Sequence, residues 1–142
     1  MKLLSIDPGE TVGLVYLFRD RDGEDITLEG FLDTPLRFLK KNLPIVLAAV
    51  DVVVIEDYRV FASHAGHHIG ARLITSELIG FIEAHCDLKN IRVIRIAPNK
   101  KGRWPEARLR AKHPEFKHVT GHARDALKLG LAYLEQKGGN NG

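Results

Sequence analysis

Residues 52–55 form the run Val-Val-Val-Ile, and this run limits the choice of fold more than any other part of the sequence. Beta-branched side chains favour strands. An apolar strand without a polar interruption is typical of a parallel sheet that is covered by helices on both faces. We therefore predict an α/β fold in which residues 52–55 are a central strand that ends at Glu56.

The first part of the chain predicts three antiparallel strands. Residues 3, 4 and 6 are apolar and lead to Asp7, after which a Pro-Gly pair makes a tight turn. Residues 12–18 predict the second strand and residues 26–32 the third. Because the connections are short, we expect an antiparallel meander.

A helix is predicted between this meander and the central strand. Thr34 is expected to cap it, with Pro35 at the first helical position. Pro44 is expected to kink or divide the helix, and an apolar helical face is expected to resume over residues 45–50.

The second half of the chain predicts two long helices and one more strand. Apolar residues recur at helical spacing over residues 66–86 and 120–136, the second helix being capped by Thr120. Residues 91–96 predict the fifth strand. The expected architecture is a five-stranded mixed sheet, three antiparallel strands followed by two parallel ones, flanked by helices.

The 142 residues suffice for about one domain, which we place at residues 1–137 with a disordered tail at 138–142. Cys86 is the only cysteine and cannot form an internal disulfide, so a reducing compartment is expected. The apolar run before Asp7 is too short for a signal peptide, and no run approaches membrane-spanning length. These observations favour a cytoplasmic protein without a membrane segment.

Three acidic residues and a histidine lie at the ends of predicted core elements. Asp7 and Glu56 close the first and fourth strands, and His122 and Asp125 share one face of the last helix at i, i+3 spacing. If the two strands are parallel neighbours, their carboxylates meet, and a buried carboxylate pair requires a cation. Oxygen ligands suit Mg²⁺ or Mn²⁺, and the imidazole favours Mn²⁺ slightly.

Each of these residues also has an ordinary structural explanation. Asp7 and Glu56 could be solvated ends of strands, and Asp125 could pair with Arg124 or Lys128 on the helix surface. The histidine could simply occupy the first turn of its helix. The residue types alone leave both explanations open.

Positive charge is concentrated in residues 99–118, which contain seven Lys and Arg residues against two Glu. Over the whole chain the formal net charge is only +3. A local basic stretch of this kind indicates a polyanion-binding surface. The alternative is a solvated helix face.

Three segments together resemble the RuvC family of Holliday junction resolvases. They are Ile-Asp-Pro-Gly at residues 6–9, Val-Ile-Glu at residues 54–56 and His-Ala-Arg-Asp-Ala-Leu at residues 122–127. Each is weak alone, but their order and intervals match the family, and the resemblance spans residues 3–134.

The resemblance implies a ribonuclease H-like fold and a structure-selective DNA endonuclease. It implies a homodimer that resolves four-way junctions by paired cuts with two Mg²⁺ or Mn²⁺ ions per site, leaving 5′ phosphates. Its metal-binding and catalytic residues would be Asp7, Glu56, His122 and Asp125. We expect Asp7 to bridge both ions, Glu56 to hold one, and the helix pair to complete the other.

The resemblance also implies DNA contacts. An aromatic residue after the strand-end Glu would stack on bases near the crossover, and a lysine-bearing segment would contact the scissile phosphate. The candidates, with Phe61 favoured for stacking, are Tyr58, Arg59, Phe61, Lys100, Lys101 and Arg103.

Two segments depart from the family pattern. One is the loop that contains His64, His67 and His68, which could bind zinc but which we interpret as protonatable phosphate contacts. The other lies around Trp104 and Pro105. Both leave the substrate preference open.

Other functions fit parts of the same sequence. The first strand turn also resembles the nuclease that trims ribosomal RNA precursors, and a branched-DNA-binding protein without catalysis is a third possibility. The phosphate-binding turn of actin-like and sugar-kinase ATPases begins similarly, but those proteins close two domains around a nucleotide. As a resolvase, the protein would act in a bacterial or virus-infected cell.

Overall fold

The structure is a computed structural model that describes residues 1–57 and 69–139. Its centre is a five-stranded sheet in the order β3-β2-β1-β4-β5. Strands β1, β2 and β3 are antiparallel, whereas β4 and β5 run parallel to β1, so the predicted mixed sheet is confirmed. The strands are β1 Lys2–Asp7, β2 Thr11–Arg19, β3 Ile26–Pro35, β4 Val52–Glu56 and β5 Arg92–Ile96.

Helices cover both faces of this sheet, as the uninterrupted apolar strand β4 requires. They are α1 Leu36–Val46, α2 Ile69–Leu88, α3 Glu106–Lys112 and α4 Gly121–Gly139, with 3₁₀ turns at Pro98–Arg103 and Pro114–Phe116. None of the helices in the described ranges is long and apolar enough to cross a membrane.

The two-residue period of the strands sorts their side chains into two cores. Leu4 and Ile55 belong to the core under α1 and α2. Leu3 and Val54 belong to the opposite core, under α4 and the segment that contains α3. Asp7 lies four residues after Leu3 on β1, so its side chain is on the same face of the sheet as that of Leu3. It therefore faces α4.

The start of α1 differs from the prediction. Thr34 and Pro35 continue β3, because this strand pairs with β2 as far as Pro35, and the helix begins at Leu36. Pro44 lies inside one continuous helix that ends two residues later, at Val46. The predicted resumption of the helix over residues 45–50 was wrong, since residues 47–49 form a turn.

The cap of α4 comes from another strand. The carboxylate of Asp33 in β3 accepts hydrogen bonds from the backbone N–H groups of His122 and Ala123, at 3.2 and 2.7 Å. Gly121 admits this carboxylate: its φ is +63°, and a Cβ there would lie 2.2 Å from Asp33 Oδ2. These donors are the ones that an N-cap side chain satisfies, so the prediction of Thr120 as the cap was wrong. At the other end, α4 includes Gly138 and Gly139, the first two residues of the predicted tail.

We expect Asp33→Ala to lower the free energy of unfolding by about 1–2 kcal/mol, because two N–H groups of α4 lose their acceptor. Asp33→Asn should cost much less, since its amide oxygen keeps one acceptor in place. Urea unfolding of both variants measures the difference. Equal losses for Ala and Asn would show that the charge, and not the cap, stabilises this junction.

Candidate active site

Asp7 and Glu56 meet at the ends of neighbouring parallel strands. The register pairs Ile6 with Ile55, so the next residue on each strand, the carboxylate, stands beside the other. Asp7 is only 7% exposed and Glu56 only 6%, and the two side chains share a hydrogen bond. The alternative of solvated strand ends is therefore wrong for both residues.

This environment changes the chemistry of Asp7. Burial, the hydrogen bond to Glu56 and the negative charges of Glu56 and Asp125 raise the pKa of Asp7 from 3.8 to about 8, although the Lys101 ammonium acts in the opposite direction. Burial disfavours the charged carboxylate, and like charges nearby do the same. The pocket thus holds more carboxylate charge than the side chains around it compensate.

Helix α4 carries the other two predicted residues to this pocket. Gly13 of β2, paired with Asp7, makes this possible because a Cβ there would lie 2.2 Å from the backbone C and O of His122. The first turn of α4 consequently rests directly on the sheet. His122 Nδ1 lies 3.5 Å from Asp7 Oδ2, and Asp125 is close enough to raise the pKa of Asp7.

The structural alternative for Asp125 was a salt bridge with its helix neighbours. Arg124 and Lys128 instead bind Glu106 of α3, with Arg124 Nε 2.8 Å and Lys128 Nζ 2.9 Å from its Oε1. Those two cations are therefore paired with Glu106 on the outer side of α4 and do not pair with Asp125. Asp125 faces the acidic pocket, as its position one turn after His122 predicts.

Lys101 occupies this pocket as well; the sequence predicted it as a contact of the scissile phosphate, but not as a partner of Glu56. Its Nζ lies 3.0 Å from Glu56 Oε2. Burial works against its charge, but the hydrogen bond to Glu56 and the carboxylates of Asp7 and Asp125 outweigh it and raise the pKa of Lys101. The available signal was its position five residues after β5, which pairs with β4.

The donor set of the pocket fits a hard divalent cation. Three carboxylates and one imidazole are the ligands that Mg²⁺ and Mn²⁺ accept, and the raised pKa of Asp7 shows that more positive charge would stabilise their ionised forms. Within residues 1–57 and 69–139, however, no three such side chains are already spaced to hold an ion. Lys101 is the cation that contacts Glu56 in this structure.

The remaining predicted residues fall into two groups. Lys100 and Arg103 lie on the same 3₁₀ turn as Lys101, and Arg103 is exposed. The other predicted DNA contacts and the histidine loop lie outside the described residues: Tyr58, Arg59, Phe61, His64, His67 and His68.

The basic stretch is not simply a solvated helix face. Trp104, Leu109 and Phe116 are buried in the core under α4 and hold this segment in place. The Arg108 guanidinium lies over the Trp104 ring, 4.0 Å from its centroid, and pairs with Glu135 of α4. The sequence around Trp104 thus fixes the turn that presents Lys101.

The metal-free protein should lose stability as the pH rises from 5 to 8. Over this range Asp7 stays protonated in the folded state, whose pKa is about 8, whereas in the unfolded chain it ionises near 3.8. The folded state binds more protons, so the free energy of unfolding falls as protons are removed and levels off above pH 8. Urea unfolding with a chelator measures this slope, which Asp7→Asn should reduce. An equal slope in that variant would contradict the assignment.

Solved structures share this architecture. Fowlpox virus Holliday junction resolvase is 19% identical, with 96% of this chain and 99% of that chain covered and a TM-score of 0.68. Thermus thermophilus RuvC, in complex with a Holliday junction substrate, is 14% identical, with 98% and 96% covered and a TM-score of 0.74. The yeast mitochondrial Holliday junction resolvase is 11% identical, with 93% and 77% covered and a TM-score of 0.64.

No protein-family model matches the sequence. A search of curated proteins finds no match either. At these identities, the likeness to the solved resolvases is one of fold. It confirms the ribonuclease H-like architecture, and with it the structural part of the RuvC resemblance.

Proposed function

We propose that this protein is a metal-dependent nuclease that resolves Holliday junctions or other branched DNA. The observation that carries the proposal is the buried pair of Asp7 and Glu56, with His122 and Asp125 brought beside it by α4. The fold that it shares with solved junction resolvases supports the proposal, because the structural alignment covers nearly the whole length of those proteins.

Asp7, Glu56, His122 and Asp125 are the residues that would hold Mg²⁺ or Mn²⁺. Bound ions would supply an activated water for in-line attack and stabilise the leaving 3′ oxygen, giving a 5′ phosphate. The protein's own contribution is to fix its carboxylates on two rigid strands, because side chains on strand ends hold their position better than side chains on loops.

Lys101 would contribute directly to substrate binding. Its ammonium lies in the pocket and can donate hydrogen bonds to a phosphate once Glu56 is neutralised in another way. Lys100 and Arg103, on the same turn, would contact neighbouring phosphates. The stacking role of Tyr58 or Phe61, with Arg59 nearby, stays a prediction.

Paired cuts on a four-way junction require two active sites in a fixed relation. A two-fold homodimer supplies both with one interface. We propose such a dimer on this functional ground. Analytical ultracentrifugation with and without junction DNA measures its formation.

One observation favours a second candidate, a branched-DNA-binding protein without catalysis. The Lys101–Glu56 ion pair already neutralises one of the four proposed ligands. If this pair persisted when Mn²⁺ is present, the pocket would not be able to take up an ion through Glu56.

A single assay distinguishes these functions. Labelled four-way junction, matched duplex and structured RNA are each incubated with the protein and Mg²⁺, Mn²⁺ or a chelator. The proposal predicts symmetric, metal-dependent nicks in the junction and little cutting of duplex. Cleavage of RNA alone would identify an RNA-processing nuclease, and tight junction binding without cutting would identify a non-catalytic protein.

A further inference from the structure

A basic cleft lies on the outer side of α4, next to the acidic pocket. It has a volume of about 600 Å³ and runs between α3, the Pro114–Phe116 turn and the first turn of α4. We call it the α3–α4 cleft. Its polar and glycine lining consists of Glu106, Arg110, Lys117, Thr120, Gly121 and Arg124.

Arg110 and Lys117 are the available cations of this cleft. Lys101 and Arg108 of the same basic stretch are already paired with acidic side chains. Arg110 and Lys117 are exposed, and neither forms an ion pair with any residue of the described ranges. Their charges are therefore free to attract an anion.

Glu106 does not cancel this positive charge. Its carboxylate is bound by both Arg124 and Lys128, so two cations face one anion. These hydrogen bonds hold the pKa of Glu106 at about 2. Arg124 also donates from Nη1 to the carbonyl oxygen of Val119, at 2.8 Å, which fixes its guanidinium along the cleft.

The end of α4 itself is not the attractive element. Its N–H groups at His122 and Ala123 are already bound by the carboxylate of Asp33. Any anion in the cleft would be held by side chains, chiefly Arg110 and Lys117, and their removal should abolish its binding.

The cleft and the acidic pocket lie on neighbouring faces of one helical turn. Gly121 and Arg124 line the cleft, whereas His122 and Asp125 face Asp7. Because successive residues of an α-helix are about 100° apart around its axis, these two faces adjoin. A strand with one phosphate at the acidic pocket can thus place a nearby phosphate of the same strand in the cleft.

We propose that the α3–α4 cleft binds the backbone of the DNA strand that is cut, a few nucleotides from the cleavage position. This inference rests on the proposed nuclease function and adds to it a second phosphate contact that fixes the direction of the strand. It assigns Arg110 and Lys117, rather than the whole basic stretch, as the residues that hold this part of the substrate.

The test compares two matched double variants in an Asp7→Asn background, so that no DNA is cut. Arg110→Gln with Lys117→Gln removes the free cations of the cleft. Arg21→Gln with Lys137→Gln removes an Arg and a Lys from a pocket that also contains Met1 and Val52, at the opposite ends of the strands. All four residues are exposed, so both double variants should stay folded, and circular dichroism checks that they do.

Junction affinity is measured against salt concentration for each protein. The cleft variant should bind roughly tenfold more weakly and lose about 2 units of the salt slope, since each phosphate contact contributes about 0.9. The control variant should match its parent. Methylphosphonates are placed one at a time at the nucleotides beside the cut, and one of these positions should weaken binding by the parent protein but not by the cleft variant.

Each other outcome has a definite meaning. Equal salt slopes for the two double variants, or a methylphosphonate effect that persists in the cleft variant, would overturn the cleft proposal while leaving junction cutting by the native protein intact. A salt slope that depends on the cleft, together with a native protein that does not cut the junction, would overturn the nuclease function instead. Polyglutamate is titrated as an acidic-protein probe: binding that is lost in the cleft variant while junction binding is unchanged would show a protein-docking site, and the proposal would be wrong.

Discussion

Replacing Asp7 with Asn is expected to abolish junction cleavage while junction binding is retained or becomes tighter. Asp7 lies between Glu56, His122 and Asp125. An ion bound by any of those three residues would therefore also interact with the Asp7 carboxylate. Asn keeps the shape but removes that charge. The loss in cleavage rate should be on the order of 10³-fold or more, as for residues that act as one catalytic unit.

Junction binding should be retained or become tighter, because the amide of Asn cannot ionise and so never repels the DNA phosphates. The measurements are single-turnover cleavage and a gel-shift titration on the same junction. Asp87→Asn is the matched control: Asp87 is exposed at the end of α2, and its loss should change neither quantity. Cleavage by Asp7→Asn at a near-native rate would refute the assignment of this pocket.

Gly13→Ala is expected to have the largest effect on the fold around the site. The new Cβ would lie 2.2 Å from the backbone of His122 and 2.6 Å from the N of Ala123. Backbone atoms cannot rotate away, so α4 must move off the sheet. We expect a loss of about 3 kcal/mol or more in the free energy of unfolding, at the upper end for overpacked sites.

The same shift would separate His122 and Asp125 from Asp7, so cleavage should fall even at temperatures where the variant is folded. Gly80→Ala is the matched control, since a Cβ there meets nothing within 4 Å and alanine favours the helix. Urea unfolding and single-turnover cleavage measure both effects. Native stability in Gly13→Ala would mean that α4 does not rest on β2 at this point.

The sheet and the strand-end acids were predictable because they depend on local sequence. A run of β-branched residues that stops at Glu56 specifies a covered strand and its end, and the turn after Asp7 does the same for β1. Once both strands are parallel neighbours, the meeting of their carboxylates follows from the two-residue period alone.

The features that were not predicted depend on contacts between distant parts of the chain. Asp33 caps a helix that begins 88 residues later, and no local pattern shows which carboxylate will reach it. Thr120 is of a residue type that commonly caps helices. Gly121, however, has a left-handed backbone conformation and no side chain, so the Asp33 carboxylate can approach the start of α4. Lys101 pairs with Glu56 because a 3₁₀ turn after β5 directs it into the acidic pocket, and residue spacing does not determine which carboxylate it meets.

Anomalous diffraction from crystals soaked with Mn²⁺ tests the central claim most directly. The account predicts Mn²⁺ peaks within coordination distance of Asp7, Glu56 and Asp125, with Lys101 Nζ moved away from Glu56 Oε2. Crystals that show no Mn²⁺ at these carboxylates, with the Lys101–Glu56 ion pair still in place, would contradict it.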